Sequence, residues 1–186
     1  ARASYTGLDG LTRDTNMAGI VAGLYARGAV NKSIGETAVI SLPESKVKRL
    51  LPTDINVDFI ERLDLAGYLT FRTYDRLEGF YVTNARMMGP EGTDYRYAED
   101  VRVLNKIIRV TRTEALKQLQ SDIDLENVDA DLAAKAKFIQ VPLEKMIEAK
   151  EISAVTVTVP SGQNILEDEI FRLIIRYTPR GKYREI

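Results

Sequence analysis

Two periods alternate along this chain, a helical one of three to four residues and a strand period of two. From Asp14 to Arg27 small and apolar residues recur at helical spacing, with Asp14 or Thr15 placed to cap the start and Gly28 to end it. Ala18, Gly19, Ala22, Gly23 and Ala26 make one side of that helix unusually narrow, which predicts close burial beneath a sheet. Ala38 to Leu42 reads as a short strand. Glu44 to Leu51 reads as a brief helix, with Val47, Leu50 and Leu51 on one face and Pro52 stopping it. Thr53 or Asp54 opens the next helix, which carries Val57, Phe59, Ile60 and Leu63 and ends at Gly67.

The strand period is clearest just after this. Leu69, Phe71 and Thr73 alternate with Thr70, Arg72 and Tyr74; a loop at Asp75–Gly79 leads to Phe80 and Val82, interleaved with Tyr81 and Thr83. Aromatic and β-branched residues around a short loop containing glycine predict a hairpin. Gly89, Pro90 and Gly92 follow as a loop. A long helix is then expected from about Ala98 to Ile123, its apolar stripe made of Val101, Leu104, Ile107, Ile108, Ala115, Leu116 and Leu119. Arg102, Lys106, Arg109, Arg112 and Lys117 form its solvated face. A second helix starts after Asp129 or Asp131 and reaches about Lys150, with Pro142 expected to kink or restart it. Strand character returns at Ile152–Pro160 and again at Ile170–Tyr177. In the last run Phe171, Leu173, Ile175 and Tyr177 face one way, and Arg172, Ile174 and Arg176 the other. The mixture predicts an α+β (mixed α/β) fold: a central β-sheet of hairpin strands packed by several helices, one of them long.

Composition narrows the chemistry. The 186 residues include no histidine and no cysteine. The usual proton shuttle near neutral pH and the readiest covalent nucleophile are therefore missing. So are the ligands of a structural zinc, an iron–sulfur cluster or a usual haem. Lys and Arg total 26 against 27 Asp and Glu, a net charge of −1, which argues against a dedicated nucleic-acid binder. The run from Met17 to Tyr25 is too short to span a bilayer. The opening at Ala1 and the strand-like close suggest a piece of something longer.

Candidate motifs dissolve on inspection. Gly181–Lys182 lacks the upstream glycine and the following Ser or Thr of a phosphate loop. Asp122, Asp124, Glu126, Asp129 and Asp131 lack the central glycine and terminal Glu of a calcium loop, so a solvated connection between helices explains them. Glu167, Asp168 and Glu169 are most simply charges that discourage unwanted pairing at a sheet end. Tyr74, Tyr81, Tyr95 and Tyr97 have no basic groove beside them and are read as core-edge and subunit contacts. A carboxylate-based enzyme or a ligand-binding α/β domain stays open as an alternative.

Several stretches resemble the C-terminal conserved region of contractile tail sheath proteins, found in phages and phage-like devices. "MAGIVAGLYARGAV" is similar to the small-residue helix that opens that region. "FIERLDLAGYLTFRTYDRLEGFYVTNARMM" resembles its helix, glycine and two-strand unit. "YRYAEDVRVLNKIIRVTR" sits where sheaths place a long helix, and "ISAVTVTVP" with "IFRLIIRYTP" resembles the paired strands near the sheath C-terminus.

The resemblance implies one sheath-type core domain over residues 1–186, lacking an N-terminal arm, with an internal boundary admitted near 89–96. It implies a non-enzymatic structural subunit needing no cofactor and no metal, with no nucleic acid as partner and no insertion into a membrane. Identical copies would form hexameric rings in a helical lattice around an inner tail-tube protein, in a virion tail or phage-like particle assembled in the bacterial cytoplasm. Contraction would drive the tube through a membrane. Subunits would exchange β-strands, and Phe171, Leu173, Ile175, Arg176 and Tyr177 would carry that pairing. A charged helix face bearing Glu99, Arg102 and Arg109 is a candidate for the tube-facing surface. Another tail or baseplate protein is the neighbouring alternative.

Overall fold

The computed structural model describes residues 2–54, 57–90 and 92–184. The α+β class holds, with helices and antiparallel strands interleaved along the chain. The strands, however, do not merge into one central sheet. Among the described residues they form three small antiparallel sheets, distributed over two compact units, Ala1–Val101 and Arg102–Ile186.

The first unit opens on β1 (Arg2–Thr6) and β2 (Thr12–Asn16), a hairpin that the sequence pattern did not reveal. Thr15 pairs with Ala3 and Asp14 with Ser4, whose hydroxyl donates to the Asp14 carboxylate at 2.8 Å. These residues are therefore strand, not helix cap. Helix α1 (Ala18–Arg27) begins later, where Asn16 Oδ1 accepts the Ala18 N–H at 2.8 Å, and Gly28 ends it as expected. Its orientation corrects the expected one. Leu24 is buried, whereas Ala18, Gly19, Ala22, Gly23 and Ala26 face outward.

The expected strand at Ala38–Leu42 shrinks to one bridge, Leu42 to Phe80. The expected helix at Glu44–Leu51 is instead strand β3 (Val47–Leu51), paired with the other side of β1. Three apolar residues in five positions fit either structure, and β1 supplied the partner that decided between them. Helix α2 (Val57–Leu65) buries Ile60 and exposes Phe59; the side chain of Val57 lies outside the described residues.

The predicted hairpin is present as β4 (Phe71–Tyr74) and β5 (Leu77–Val82), with Phe71 opposite Val82. Its turn is tighter than expected, because Tyr74 already pairs with Leu77 and Arg76 takes φ 64°. Gly79 lies within β5 at φ 97°, where a Cβ would stand 2.7 Å from the Leu42 carbonyl oxygen. Only glycine tolerates both the dihedral and the approach. Ala3, Met17, Ile34, Val47, Phe71, Val82 and Ala85 fill the core of this unit.

Helix α3 (Ala98–Leu116) stops seven residues short of the expected end. Val103 and Ile107 are its buried positions in the second unit, while Ile108, Leu116 and Leu119 lie more than half exposed. The expected stripe is thus rotated. Lys106 is drawn from the solvated face into an ion pair with Glu151 at 2.6 Å. Helix α4 (Val128–Glu148) runs uninterrupted through Pro142. Proline has no N–H to offer the Phe138 carbonyl, so the helix passes Pro142 at the loss of one intrahelical bond. Leu132, Ala136, Ile139, Leu143 and Met146 repeat at intervals of three and four and pack on β6 (Ile152–Thr158). A short helix α5 (Ile165–Asp168) leads to β7 (Ile174–Pro179).

Candidate assembly interface

The second unit is built around the β6–β7 hairpin. Six residue pairs run from Ile152 opposite Pro179 to Thr158 opposite Ile174, with an irregularity between Ile152 and Ala154. Ile152, Val155 and Val157 are buried against α4, while Thr156 and Thr158 are exposed.

The two strands have different outer edges. The Val157 N–H donates to Gln140 Oε1 on α4 at 3.2 Å. A strand N–H engaged there is turned away from β7, so Gln140 of α4 satisfies that amide on the outer side of β6. Gln140 is itself held by Glu144, whose carboxylate accepts from Gln140 Nε2 at 2.6 Å and from Lys137 Nζ at 3.0 Å. Those two contacts, the Gln140 bond first, hold the Glu144 carboxyl below its ordinary pKa. β7 differs: among the described residues no strand lies on its outer side.

The ladder's alternation identifies which groups face that side. Val157 turns its N–H away from β7, so its opposite residue, Ile175, turns its own backbone groups away from β6. Arg176, opposite Thr156, belongs to the alternate class and exchanges its backbone bonds inward. Of the expected pairing residues, Ile175, Arg176 and Tyr177 lie in β7; Phe171 and Leu173 precede it. All four apolar members are half-buried, and Arg172, Ile174 and Arg176 between them are exposed, which is the predicted alternation. Before the strand, Gln163 accepts the Arg172 N–H at 2.7 Å and donates to the Arg172 carbonyl at 2.8 Å, bracing the entry to β7. Sequence reasoning missed Gln140 and Gln163. The only signal was a glutamine in an otherwise apolar or charged context.

The helix face proposed from sequence for tube contact does not survive as a set. Glu99 is fully buried and Arg102 half-buried, leaving Arg109 exposed. Among the described residues no three acidic side chains converge into a group able to hold a metal ion, the run from Asp122 to Asp131 included. No helix among them is long and apolar enough to cross a membrane.

Two family profiles divide the chain between them: the N-terminal domain of DUF2586 matches residues 3–86, and its C-terminal domain matches residues 94–186, half of the chain. The protein belongs to the DUF2586 family. Its resemblance to contractile tail sheath proteins also stands in the comparisons. A protein of Haemophilus phage HP1 (strain HP1c1) with a provisional tail-sheath assignment is 25% identical over 146 residues, covering 74% of this chain and 38% of its own.

Two solved structures share the DUF2586 protein's fold at low identity. One is a chain of a PVC sheath complex, an extracellular contractile injection system in its contracted state. Its TM-score is 0.74 at 14% identity, with 98% of this chain and 52% of that chain covered. The other is a chain of the anti-feeding prophage baseplate, with a TM-score of 0.69 at 15% identity, covering 98% and 51%. This DUF2586 protein thus spans about half the length of the solved chains and less of the curated relative.

Proposed function

We propose that this protein is a structural subunit of a contractile tail sheath, and that its work is mechanical rather than catalytic. The observation that carries the reading is β7, which has no further strand on its outer side among the described residues and belongs to a hairpin anchored by half-buried Phe171, Leu173, Ile175 and Tyr177. An edge strand of this kind accepts a strand from another chain through main-chain bonds. Each bond contributes only about 1 kcal/mol net, so a single shared strand is weak and a lattice of them is strong. Phe171, Leu173, Ile175, Arg176 and Tyr177 then carry inter-subunit strand pairing. Identical subunits form hexameric rings, stacked as a helical tube around an inner tail-tube protein. Contraction repacks rigid bodies while shared strands keep them tethered, which needs no nucleotide or metal in the subunit. The assembly takes place in the bacterial cytoplasm, and the product is a virion tail or phage-like particle.

The relative's sheath assignment and the sheath-like fold support this reading. A baseplate neighbour with the same fold favours, as a second reading, a subunit at the end of the tube rather than along it. The two separate by position in the particle.

Ile175→Pro tests the strand edge itself. Proline removes an N–H that faces outward and leaves the bonds between β6 and β7 in place. The full chain should keep its circular dichroism and thermal transition yet lose assembly. Unimpaired tubes from Ile175→Pro would refute strand addition at β7.

A further inference from the structure

The first unit carries an apolar plug. Between β1 and β2 the chain turns through Gly7–Leu11, and the tip presents Leu8 fully exposed and Leu11 57% exposed. The turn is braced from within. The Gly7 N–H donates to the Leu11 carbonyl at 3.0 Å, the Gly10 N–H to the Gly7 carbonyl at 3.1 Å, and the Leu11 N–H to Asp9 Oδ1 at 3.0 Å. The other Asp9 oxygen pairs with Arg13 at 2.7 Å. A tip fixed in this way has little chain freedom left for binding to remove. Lys46 stands at its base, where its carbonyl accepts the Thr6 N–H at 2.7 Å. Residues 43–51 carry Lys46, Lys48 and Arg49 against a lone carboxylate, Glu44, and among the described residues none of these cations is in an ion pair.

The second unit carries a groove that matches it. Two adjoining hollows of about 580 and 460 Å³ share Ile123 and Ile165, and Leu119 and Leu125 on their lips are 70% and 62% exposed. Glu126, Asp129 and Glu169 line the same hollows, and among the described residues none of these carboxylates is in an ion pair. Lys135, the cation in the lining, is taken up by Ser121 and by the Asp122 carbonyl. We infer that the Gly7–Leu11 tip of one copy seats Leu8 in the groove of a second copy, with Lys46 and Lys48 set against Glu126 and Asp129.

Two complementarities select a second copy as the occupant. The tip brings no net charge of its own, since Arg13 neutralises Asp9, and it meets an apolar floor. Behind it, unpaired cations meet unpaired carboxylates on the lip, which fixes register and disfavours wrong partners. With Leu8 fully exposed and Leu119 and Leu125 largely so, a lone copy leaves both surfaces bare. Plug and groove are different patches, so each copy offers a plug to one neighbour and a groove to another. Contacts of that kind close into rings or run on as helical filaments. The inference rests on the assembly reading above and adds a contact of a different nature: side chains in a groove, where strand addition at β7 uses main-chain bonds.

The absence of native cysteine in these 186 residues makes the contact directly trappable. Two single-cysteine variants of the 186-residue chain, Leu11→Cys and Ala130→Cys, are made with tags of different size, mixed, and oxidised mildly. Both positions are exposed, and Ala130 lines the groove. The expected result is a mixed dimer, sensitive to reductant and in several-fold excess over either like pair. Leu8→Asp in the plug chain should abolish that excess. Glu126→Lys with Asp129→Lys in the groove chain should lower it several-fold. Raising salt from 0.1 to 1 M should do the same, as the screening length shrinks from about 10 to about 3 Å. Leu8, Glu126 and Asp129 are all exposed, so circular dichroism should not change. A mixed dimer no more abundant than the like pairs, or one indifferent to Leu8→Asp, overturns the inference. So does a chain carrying both cysteines that closes on itself as a monomer and leaves no link between copies. Electron microscopy of the chain without cysteines separates the two proposals. Tubes without the mixed dimer refute the plug contact alone; a mixed dimer without tubes supports it and refutes the assembly reading.

Discussion

At the scale of single residues, position and not identity decides what each side chain does. Gly79 is one of twelve glycines, yet it alone combines a φ of 97° with a backbone oxygen 2.7 Å from where a Cβ would stand. Gly79→Ala should therefore cost well over 1 kcal/mol, the usual penalty for a left-handed residue plus displacement of the Leu42 bridge. Thermal denaturation would register this as a drop of several degrees. An unchanged midpoint would mean that the Leu42–Phe80 bridge is not formed. Gln140 is the second decisive residue, because it satisfies a strand N–H and braces Glu144 together. Gln140→Ala should cost about 1–2 kcal/mol and expose the Val157 amide to faster hydrogen exchange. The Glu144 carboxyl, held low by Gln140 and Lys137, gives a pH signature. A depressed folded-state pKa adds stability above the unfolded carboxylate pKa, near 4.3, and that stability is lost as pH falls through the lower folded value. Glu144→Gln should thus flatten the acid limb of a plot of melting temperature against pH slightly, since the group is exposed.

At the scale of elements, legibility followed the length and purity of the pattern. The β4–β5 hairpin and helix α4 were readable because period two and period 3.6 each persisted over enough residues. The alternation around β7 was readable for the same reason, although the strand itself starts at Ile174 rather than Ile170. β3 was not, since Val47, Leu50 and Leu51 suit a helix face as well as a strand, and the partner that resolves them lies some forty-five residues earlier. β1 and β2 were invisible because Thr12–Asn16 is almost entirely polar and its pairing is held by backbone bonds and by Ser4 with Asp14. The α3 stripe was misplaced because Ile108 and Leu116 look like core residues in sequence and are exposed in the fold. Of the candidate interface, the alternating anchors could be read in advance. The asymmetry between the two edges could not, because it depends on a glutamine in one helix meeting a strand seventeen residues on.

At the scale of the molecule, two compact units carry different parts of the argument. The first supplies a three-stranded sheet and a hairpin around one apolar core. The second supplies the β6–β7 hairpin packed on α4, with no further strand beside β7 among the described residues. The most direct measurement is electron microscopy of the complete protein expressed together with its tube protein. The account predicts hollow cylinders with regular transverse striations, in which density for a strand from a neighbouring subunit runs alongside Ile175. Monodisperse monomers under every condition, or tubes in which the outer edge of β7 faces solvent, would contradict it.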